Sequence, residues 1–281
     1  MSVGIVLEGG GMRGLYTAGV LDRLLDEHLD VDGMVTVSAG ALFGVNYVSK
    51  QKGRALDYNL DYIKDKRYMG IRSLLKTGDI VNKEFAYYTV PFSLNVFDEE
   101  AFKQSGIDYY VTVTNVETGQ AEYIKINAPF QQMEALRASG SMPFVSKIIE
   151  HDGKKYLDGG VGDSIPVQKA KELGYDKLIV VLTRPLEYRK TQSSRKVVDA
   201  FYGKYPWFAD KLKDRHLQYN ETVEKIIDME AKGELFVIRP SKTIPIKRLE
   251  RDPDKLQEIY DLGLADTEAL IKELKDYLNK L

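Results

Sequence analysis

Two glycine-rich turns near the start of the chain constrain its fold more than any other feature of the sequence. The first turn spans residues 8–14 (EGGGMRG) and follows the apolar run Val3–Leu7. The second spans residues 36–40 (TVSAG) and follows a short apolar run that begins at Gly33. Unbroken apolar runs of this length are typical of strands buried on both faces of a parallel sheet. The two turns therefore predict a strand–helix–strand unit and an α/β fold.

The residue types in these turns indicate acyl-transfer chemistry. A glycine turn at the start of a helix presents backbone N–H groups to an anion. Ser38 lies where the second strand turns into a helix, and Gly40 follows two residues later. This is the pattern of a nucleophile elbow. Ser38 is therefore the candidate nucleophile, and the first turn is the candidate oxyanion hole.

A serine nucleophile needs a base, and Asp158 is the best candidate in the sequence. It ends a short predicted strand and is followed by Gly159 and Gly160, which allow close approach of another loop. A carboxylate at a strand end could accept the Ser38 proton directly. A plain Asp-Gly turn is the structural alternative. The chain order Ser38, Asp158, His216 also fits a histidine triad, although His216 lies inside a predicted helix among charged residues.

Strands and helices alternate along the remaining chain without a Pro/Ser-rich linker, which favours one α/β domain over residues 1–281. The predicted strands cover residues 3–7, 34–37, 109–115, 121–126, 155–157, 177–183 and 235–239. The predicted helices cover residues 15–29, 39–48, 129–139, 167–173, most of 195–232, and 254–281. Residues 53–105 read as irregular with short helical pieces, and about 241–281 as a C-terminal helical extension.

Composition excludes several classes of function. The formal net charge of -2 argues against nucleic acid as a partner. The chain has no cysteine, so disulfides, thiolate metal sites and a cysteine nucleophile are excluded. The histidines His28, His151 and His216 lack metal-ligand spacing, and neither a metal nor a cofactor is predicted. No apolar run approaches the ~20 residues that span a bilayer, and no secretory leader is evident, which predicts a cytoplasmic protein.

The first glycine turn has a competing interpretation. Gly9, Gly11 and Gly14 also match the dinucleotide-binding fingerprint, in which glycines follow a strand and open a helix. That fingerprint requires an acidic residue at the end of the second strand. Here the strand ends at Val37 and Ser38, which disfavours a nucleotide-binding enzyme.

Four blocks together resemble the patatin-like phospholipase family: residues 9–14 (GGGMRG), 38–41 (SAGA), 138–143 (ASGSMP) and 158–160 (DGG). The recognisable motifs lie within residues 3–167. The resemblance implies a three-layer α/β/α sandwich around a mostly parallel central sheet. It also implies a Ser38–Asp158 dyad that works without histidine and hydrolyses acyl esters, often of lipids. The residues that the resemblance assigns to the oxyanion hole are Gly9, Gly10, Gly11 and Gly14, with Arg13 as a charge partner in the turn.

One departure from the family pattern concerns the elbow. The family has glycine two residues before the serine, and this chain has Thr36. A β-branched residue is expected to crowd the sharp turn and to affect the rate. A catalytically weak protein that binds an acyl ligand or lipid on the same scaffold is therefore an alternative to an esterase.

Two further segments bear on the substrate and on partners, while the oligomeric state cannot be read from the sequence. The aromatic run Phe85–Phe92 could line an acyl pocket, form a lid or belong to the core. The segment 184–196 carries five cations and one acidic residue, Glu187. It could make peripheral contact with phosphate head groups or an anionic membrane surface, and a solvated loop is the alternative. The cations are Arg184, Arg189, Lys190, Arg195 and Lys196. The predicted substrate is an acyl ester or lipid.

Overall fold

Eight strands and ten α-helices alternate along residues 1–280, the part of the chain that the computed structural model describes. The strands are β1 (Val3–Leu7), β2 (Gly33–Val37), β3 (Asp108–Asn115), β4 (Ala121–Ile126), β5 (Ile149–His151), β6 (Lys154–Asp158), β7 (Lys177–Val181) and β8 (Phe236–Ile238). The helices are α1 (Gly14–Asp26), α2 (Ala39–Val48), α3 (Arg54–Tyr62), α4 (Ile71–Thr77), α5 (Glu99–Gln104), α6 (Met133–Ser139), α7 (Val167–Glu172), α8 (Arg195–Tyr202), α9 (Pro206–Ala231) and α10 (Pro253–Asn279). A π-helix covers Lys83–Leu94, and 3₁₀ turns cover Gly11–Arg13 and Gly159–Val161.

The strands form one mixed sheet with the order β5-β6-β3-β2-β1-β7-β8, and β4 pairs with β3. The pairs β3–β2, β2–β1, β1–β7 and β7–β8 are parallel, and the remaining pairs are antiparallel. From β1 the chain continues to β2 on one side, while β7 lies on the other side. The strand order reverses at this point, which is where open α/β sheets bind ligands at the carboxyl ends of their strands. The turn after β1 therefore lies at the expected binding edge.

Helices cover both faces of the sheet. Ile5 and Leu7 of β1 pack in a core with α1, α2 and α10, whereas Val6 between them packs in a second core with α7 and α9. This alternation is what a strand buried on both faces requires, because successive side chains point to opposite faces. The three-layer α/β/α arrangement around a mostly parallel sheet, predicted from the family resemblance, is confirmed.

The C-terminal helix α10 is part of the main core. Its backbone crosses α1 so closely that a Cβ at Gly263 would lie 2.2 Å from the carbonyl oxygen of Tyr16. A Cβ at Gly19 would lie 2.1 Å from the carbonyl oxygen of Tyr260. The helices can approach this closely because Gly19 of α1 and Gly263 of α10 have no side chain at the crossing. The α10 side chains share the core of β1.

Several boundaries differ from those predicted. The helix expected over 129–139 begins at Met133, because the side-chain oxygen of Gln132 accepts the amides of Asn127 and Ala128 ahead of it. The C-terminal helical extension begins at Pro253, not near residue 241, and Leu281, its predicted end, lies outside the described residues. Residues 241–252 instead form a loop against the first glycine turn. Within residues 1–280, no helix has the length and apolar character needed to cross a membrane.

Candidate active site

Ser38 occupies a strained turn between β2 and α2. Its backbone has φ 54° and ψ -121°, a conformation that costs a non-glycine residue free energy and that recurs at functional sites. Ala39 begins α2 directly after it. The turn places Ser38 at the carboxyl end of β2 and at the N-terminus of a helix, where negative charge is favoured. The local geometry is that of the nucleophile elbow expected from the sequence.

Asp158 lies beside Ser38, although many residues separate them in the chain. The Ser38 hydroxyl donates to Oδ2 of Asp158 at 2.7 Å, and both residues are more than nine-tenths buried. The other carboxylate oxygen, Oδ1, accepts the amide of Gly160 at 2.7 Å. Asp158 therefore has a fixed orientation with one oxygen directed at the hydroxyl.

The small-residue block 138–143 positions both members of this pair. Ser139 Oγ accepts the amide of Ser38 at 2.9 Å and donates to the carbonyl of Thr112 at 2.7 Å. Two residues later, the carbonyl of Ser141 accepts the amide of Asp158 at 2.8 Å. One short segment thus connects the turn that carries Ser38 with the turn that carries the carboxylate of Asp158.

The first glycine turn presents unpaired amides beside Ser38. The amides of Gly9, Gly10 and Gly11 have no acceptor among residues 1–280, and all three residues line a cleft together with Ser38. The amide of Gly14, in contrast, donates to the carbonyls of Gly11 and Met12. Glycine is needed at position 14 for close packing, because a Cβ there would lie 2.7 Å from Cβ of Ala39.

The side chain of Arg13 is buried at the edge of the same turn. It is 7% exposed, and its Nε has no hydrogen-bond partner within residues 1–280. Burial, with a contribution from the neighbouring charge of Arg184, lowers the pKa of Arg13 to about 10. Glu8 is buried nearby, and it accepts hydrogen bonds from the amide of Thr183 at 2.6 Å and from the hydroxyl of Tyr219 at 2.9 Å.

No histidine contacts the pair within residues 1–280. His216 lines the cleft, but its Nδ1 lies 3.1 Å from the carbonyl of Lys213 and it bonds neither Ser38 nor Asp158. His151 lies in the β5–β6 hairpin beside Asp152. The same residues also contain no group of three or more His, Asp or Glu side chains arranged to hold a metal ion.

Thr36 is accommodated by a hydrogen bond. Its hydroxyl donates to the carbonyl of Tyr110 on the neighbouring strand at 2.8 Å, and its side chain is fully buried. The crowding expected of a β-branched residue leaves the Ser38–Asp158 hydrogen bond at 2.7 Å. The effect of Thr36 on the rate stays a prediction.

Replacing Thr36 should therefore affect stability more than the rate. We expect Thr36→Gly to lower the free energy of unfolding by about 1–2 kcal/mol, because it removes a buried hydroxyl hydrogen bond and adds strand flexibility. Thr36→Ser keeps the hydroxyl and should lose less than half of that amount. Urea unfolding of both variants measures the difference, and an ester assay measures kcat, which should stay within a few-fold. A large gain in kcat for Thr36→Gly would show that the methyl group restrains the elbow.

Two cavities meet at Ser38. One of about 150 Å³ is lined mainly by apolar side chains and also by Gly11 and Ala39. Part of the π-helix faces it, namely Ala86, Tyr87, Val90 and Pro91. Of the interpretations open for the aromatic run, the structure thus supports pocket lining for these residues, and it also supports core packing, because Phe85, Tyr87 and Val90 belong to the main apolar core.

The second cavity, of about 450 Å³, is a polar cleft on the other side of Ser38. The side chains of five basic residues line it: Arg13, Arg184, Lys190, Arg215 and Arg248. No sequence pattern marks Arg215 or Arg248, because Arg215 lies among alternating charges on α9 and Arg248 lies in a loop with no motif.

The five cations of segment 184–196 do not form one surface. Arg184 and Lys190 line the cleft. Arg189 pairs with Glu224 at 2.6 Å, and Arg195 lies 3.8 Å from Asp214. Lys196 remains exposed. Peripheral contact with an anionic membrane stays a prediction. Fewer of the five cations are free for such contact than the sequence implied.

The fold and the site together define an α/β protein with a buried serine between a strand and a helix at the edge of a mostly parallel sheet. Residues 5–171 match the family model described as patatin-like phospholipase. The match covers more than half of the chain, which therefore belongs to the patatin-like phospholipase family. Residues 205–279, which include all of α9 and all of α10, match a model described as a domain of unknown function (DUF6363).

Individual relatives are distant in sequence. The chain is 25% identical over 269 residues to the uncharacterized protein YjjU of Escherichia coli, covering 93% of this chain and 74% of that protein. It is 24% identical over 293 residues to the lysophospholipase nte1 of Neurospora crassa, covering 98% of this chain but only 18% of that protein. Among solved structures, VipD from Legionella pneumophila aligns with 97% of this chain and 67% of its own, at a TM-score of 0.46 and 13% identity.

Proposed function

We propose that this protein is a serine acyl hydrolase that cleaves carboxylic esters of lipids. The observation that carries the proposal is the 2.7 Å hydrogen bond from the strained Ser38 to Asp158, at the point where an apolar pocket and a polar cleft meet. An ester of a fatty acid has the same division, with an apolar acyl chain on one side of the carbonyl and a polar alcohol on the other.

In this proposal each group has a defined role. Ser38 attacks the ester carbonyl, and Asp158 accepts its proton and returns it to the leaving alcohol. The resulting acyl-enzyme is then hydrolysed by water, for which Asp158 again serves as the base. The free amides of Gly9, Gly10 and Gly11 stabilise the oxyanion of the tetrahedral intermediate, with Arg13 as the charge behind the turn. Each such donor typically contributes ~3 kcal/mol to transition-state stabilisation.

The lipid character of the substrate is supported by two observations. The pocket that begins at Ser38 is lined mainly by apolar side chains, including Leu42, Phe43 and Met133. The family, and the lysophospholipase relatives of which this chain spans 18%, are named for phospholipid substrates.

Labelling and turnover test the nucleophile together. A fluorophosphonate probe should modify Ser38 and spare Ser139 and Ser141, which lie in the same site but are fully engaged in hydrogen bonds. The same protein should hydrolyse p-nitrophenyl acyl esters. Modification of Ser139 or Ser141, or labelling without turnover, would contradict the proposal. The second outcome would favour the alternative of a lipid-binding protein on this scaffold.

Chain-length dependence tests the acyl pocket. We expect kcat/KM to rise by up to about fourfold for each added methylene, about 0.8 kcal/mol of transfer free energy, until the pocket is filled. Ala86→Phe narrows the pocket and should shift the optimum to shorter chains. Ala231→Phe adds the same volume at an exposed site on α9 and is the matched control. An unchanged optimum in Ala86→Phe would place the acyl chain elsewhere.

A further inference from the structure

The polar cleft beside Ser38 carries an unneutralised positive charge. Its five basic side chains are Arg13, Arg184, Lys190, Arg215 and Arg248. Among residues 1–280, no carboxylate oxygen lies within 4.0 Å of the cationic nitrogens of these side chains. Arg248 is exposed, whereas the other four are buried or half-buried. Most other buried or half-buried basic residues in this protein are paired, for example Arg137 with Glu134 at 2.6 Å. The cleft therefore keeps its cations available.

The two carboxylates that line the cleft are already engaged. Glu8 accepts hydrogen bonds from the amide and hydroxyl of Thr183 and from the hydroxyl of Tyr219. Asp158 accepts hydrogen bonds from Ser38 and Gly160. Neither carboxylate is placed to receive a cationic group of a ligand.

Aromatic faces hold two of the cations in place without neutralising them. The guanidinium of Arg184 lies 4.2 Å from the ring centre of Tyr188. The ammonium of Lys190 lies 4.0 Å from the ring centre of Tyr219. Cation–π contacts orient a charge while leaving its N–H groups free to donate. The arrangement thus keeps the donors in position for an incoming acceptor.

The cations also destabilise one another in the absence of a ligand. Burial and the nearby charge of Arg215 hold the pKa of Lys190 well below its ordinary value. Burial also lowers the pKa of Arg215, where the negative charge of Asp158 opposes the shift and the positive charge of Arg248 adds to it. Groups perturbed by burial and by like charges in a cleft are typical of functional sites. An anion bound among them would relieve the repulsion and satisfy the free Nε of Arg13.

We infer that this cleft binds the leaving alcohol of the substrate and selects alcohols that carry a phosphate monoester. The inference rests on the proposed ester hydrolysis at Ser38. A phosphate monoester carries close to two negative charges at neutral pH and several strong acceptor oxygens, which arginine side chains bind in bidentate geometry. A phosphocholine or phosphoethanolamine group is less suitable, because its ammonium would meet five cations and no free carboxylate.

Four of the five basic residues of the cleft lie outside the segment that matches the family model. Only Arg13 lies within residues 5–171. Arg184 and Lys190 follow β7, Arg215 lies on α9, and Arg248 lies in the loop before α10. The C-terminal part of this chain thus supplies the charge of a cleft whose catalytic pair comes from the N-terminal part.

Turnover of three matched esters tests the selectivity. The substrates carry one hexanoyl chain on glycerol, on glycerol 3-phosphate or on glycerophosphocholine, below their aggregation concentrations. We expect kcat/KM to be highest for the glycerol 3-phosphate ester, by about tenfold or more, since charged hydrogen bonds in a cleft have effects of this size. Arg215→Gln and Lys190→Gln should reduce this preference by about tenfold, and Arg215→Lys should restore part of it. Lys225→Gln changes an exposed residue on the same helix as Arg215, is the matched control and should leave all three values unchanged.

Binding without turnover separates this inference from the proposed function. Glycerol 3-phosphate titrated calorimetrically into Ser38→Ala should bind, more weakly in high salt and more weakly again when Arg215→Gln is added, while glycerol should not bind. Binding of glycerol 3-phosphate with no hydrolysis of any ester would support the anion site and contradict the proposed hydrolase activity. Hydrolysis with equal kcat/KM for the three esters, or binding of glycerol 3-phosphate that Arg215→Gln leaves unchanged, would overturn the inference alone.

Discussion

Asp158→Asn should reduce ester hydrolysis by about 10⁴-fold, because it removes the proposed general base and leaves only the contribution of the proposed oxyanion hole and of substrate binding. The asparagine oxygen can still accept the amide of Gly160, which Asp158 binds at 2.7 Å, so the turn should keep its geometry. Ser38→Ala should lose activity to a similar extent. The double variant should be no worse than either single variant, since the two residues act as one unit. Initial rates on a p-nitrophenyl ester, with urea unfolding of each variant, measure these effects.

Histidine variants are the control for this experiment. His216 lines the cleft but contacts the carbonyl of Lys213, and His151 lies in a hairpin beside Asp152. His216→Ala and His151→Ala should therefore each retain activity within a few-fold. A loss on the order of a thousandfold in His216→Ala would mean that a triad forms on substrate binding and that Asp158 acts through the imidazole.

Gly11→Ala should be the most damaging change in the first glycine turn. Gly11 has φ +58°, and a Cβ there would lie 2.5 Å from the carbonyl oxygen of Arg248. That carbonyl accepts the amide of Met12 at 3.0 Å, which ties the turn to the loop before α10. Strain and overpacking together should lower the free energy of unfolding by about 3 kcal/mol. Displacement of the free amides should lower kcat by about 10²-fold.

Gly153→Ala separates the effect of backbone strain from the effect of overpacking. Gly153 has φ +73°, but no atom lies within 4 Å of the Cβ position. This variant should lose only the conformational contribution, about 1 kcal/mol, and should keep full activity. Equal losses of stability in the two variants would show that the contact with Arg248 is unimportant. Urea unfolding and kcat on one ester provide both measurements.

Local patterns in the sequence were sufficient to predict most of the framework. Apolar runs such as Val3–Leu7 indicate buried strands because they are short, end at glycine turns and have the uninterrupted apolar residues that a strand covered on both faces requires. The glycines around Arg13 and the residues after Ser38 mark turns through their backbone requirements, which are local properties. The elbow at Ser38, with its φ of 54°, follows from such a pattern.

Contacts between distant segments were decided only by the tertiary structure. The 2.7 Å hydrogen bond between Ser38 and Asp158 depends on β2 and β6 meeting through β3 in one sheet, and the sequence could offer only candidates for the pair. The two-glycine crossing of α1 and α10 was not predicted either, since Gly19 and Gly263 are unremarkable among their neighbours.

The positive charge of the cleft also depends on contacts between segments that are distant in the sequence. Arg215 and Arg248 belong to separate elements with no shared motif, and composition predicts only a net charge of -2 for the whole chain. Sequence by itself determined the strands, the turns and the chemical types of the candidate site residues, because these depend on near neighbours. The folded chain alone determined which charges gather beside Ser38, because their positions depend on the packing of elements that lie far apart in the sequence.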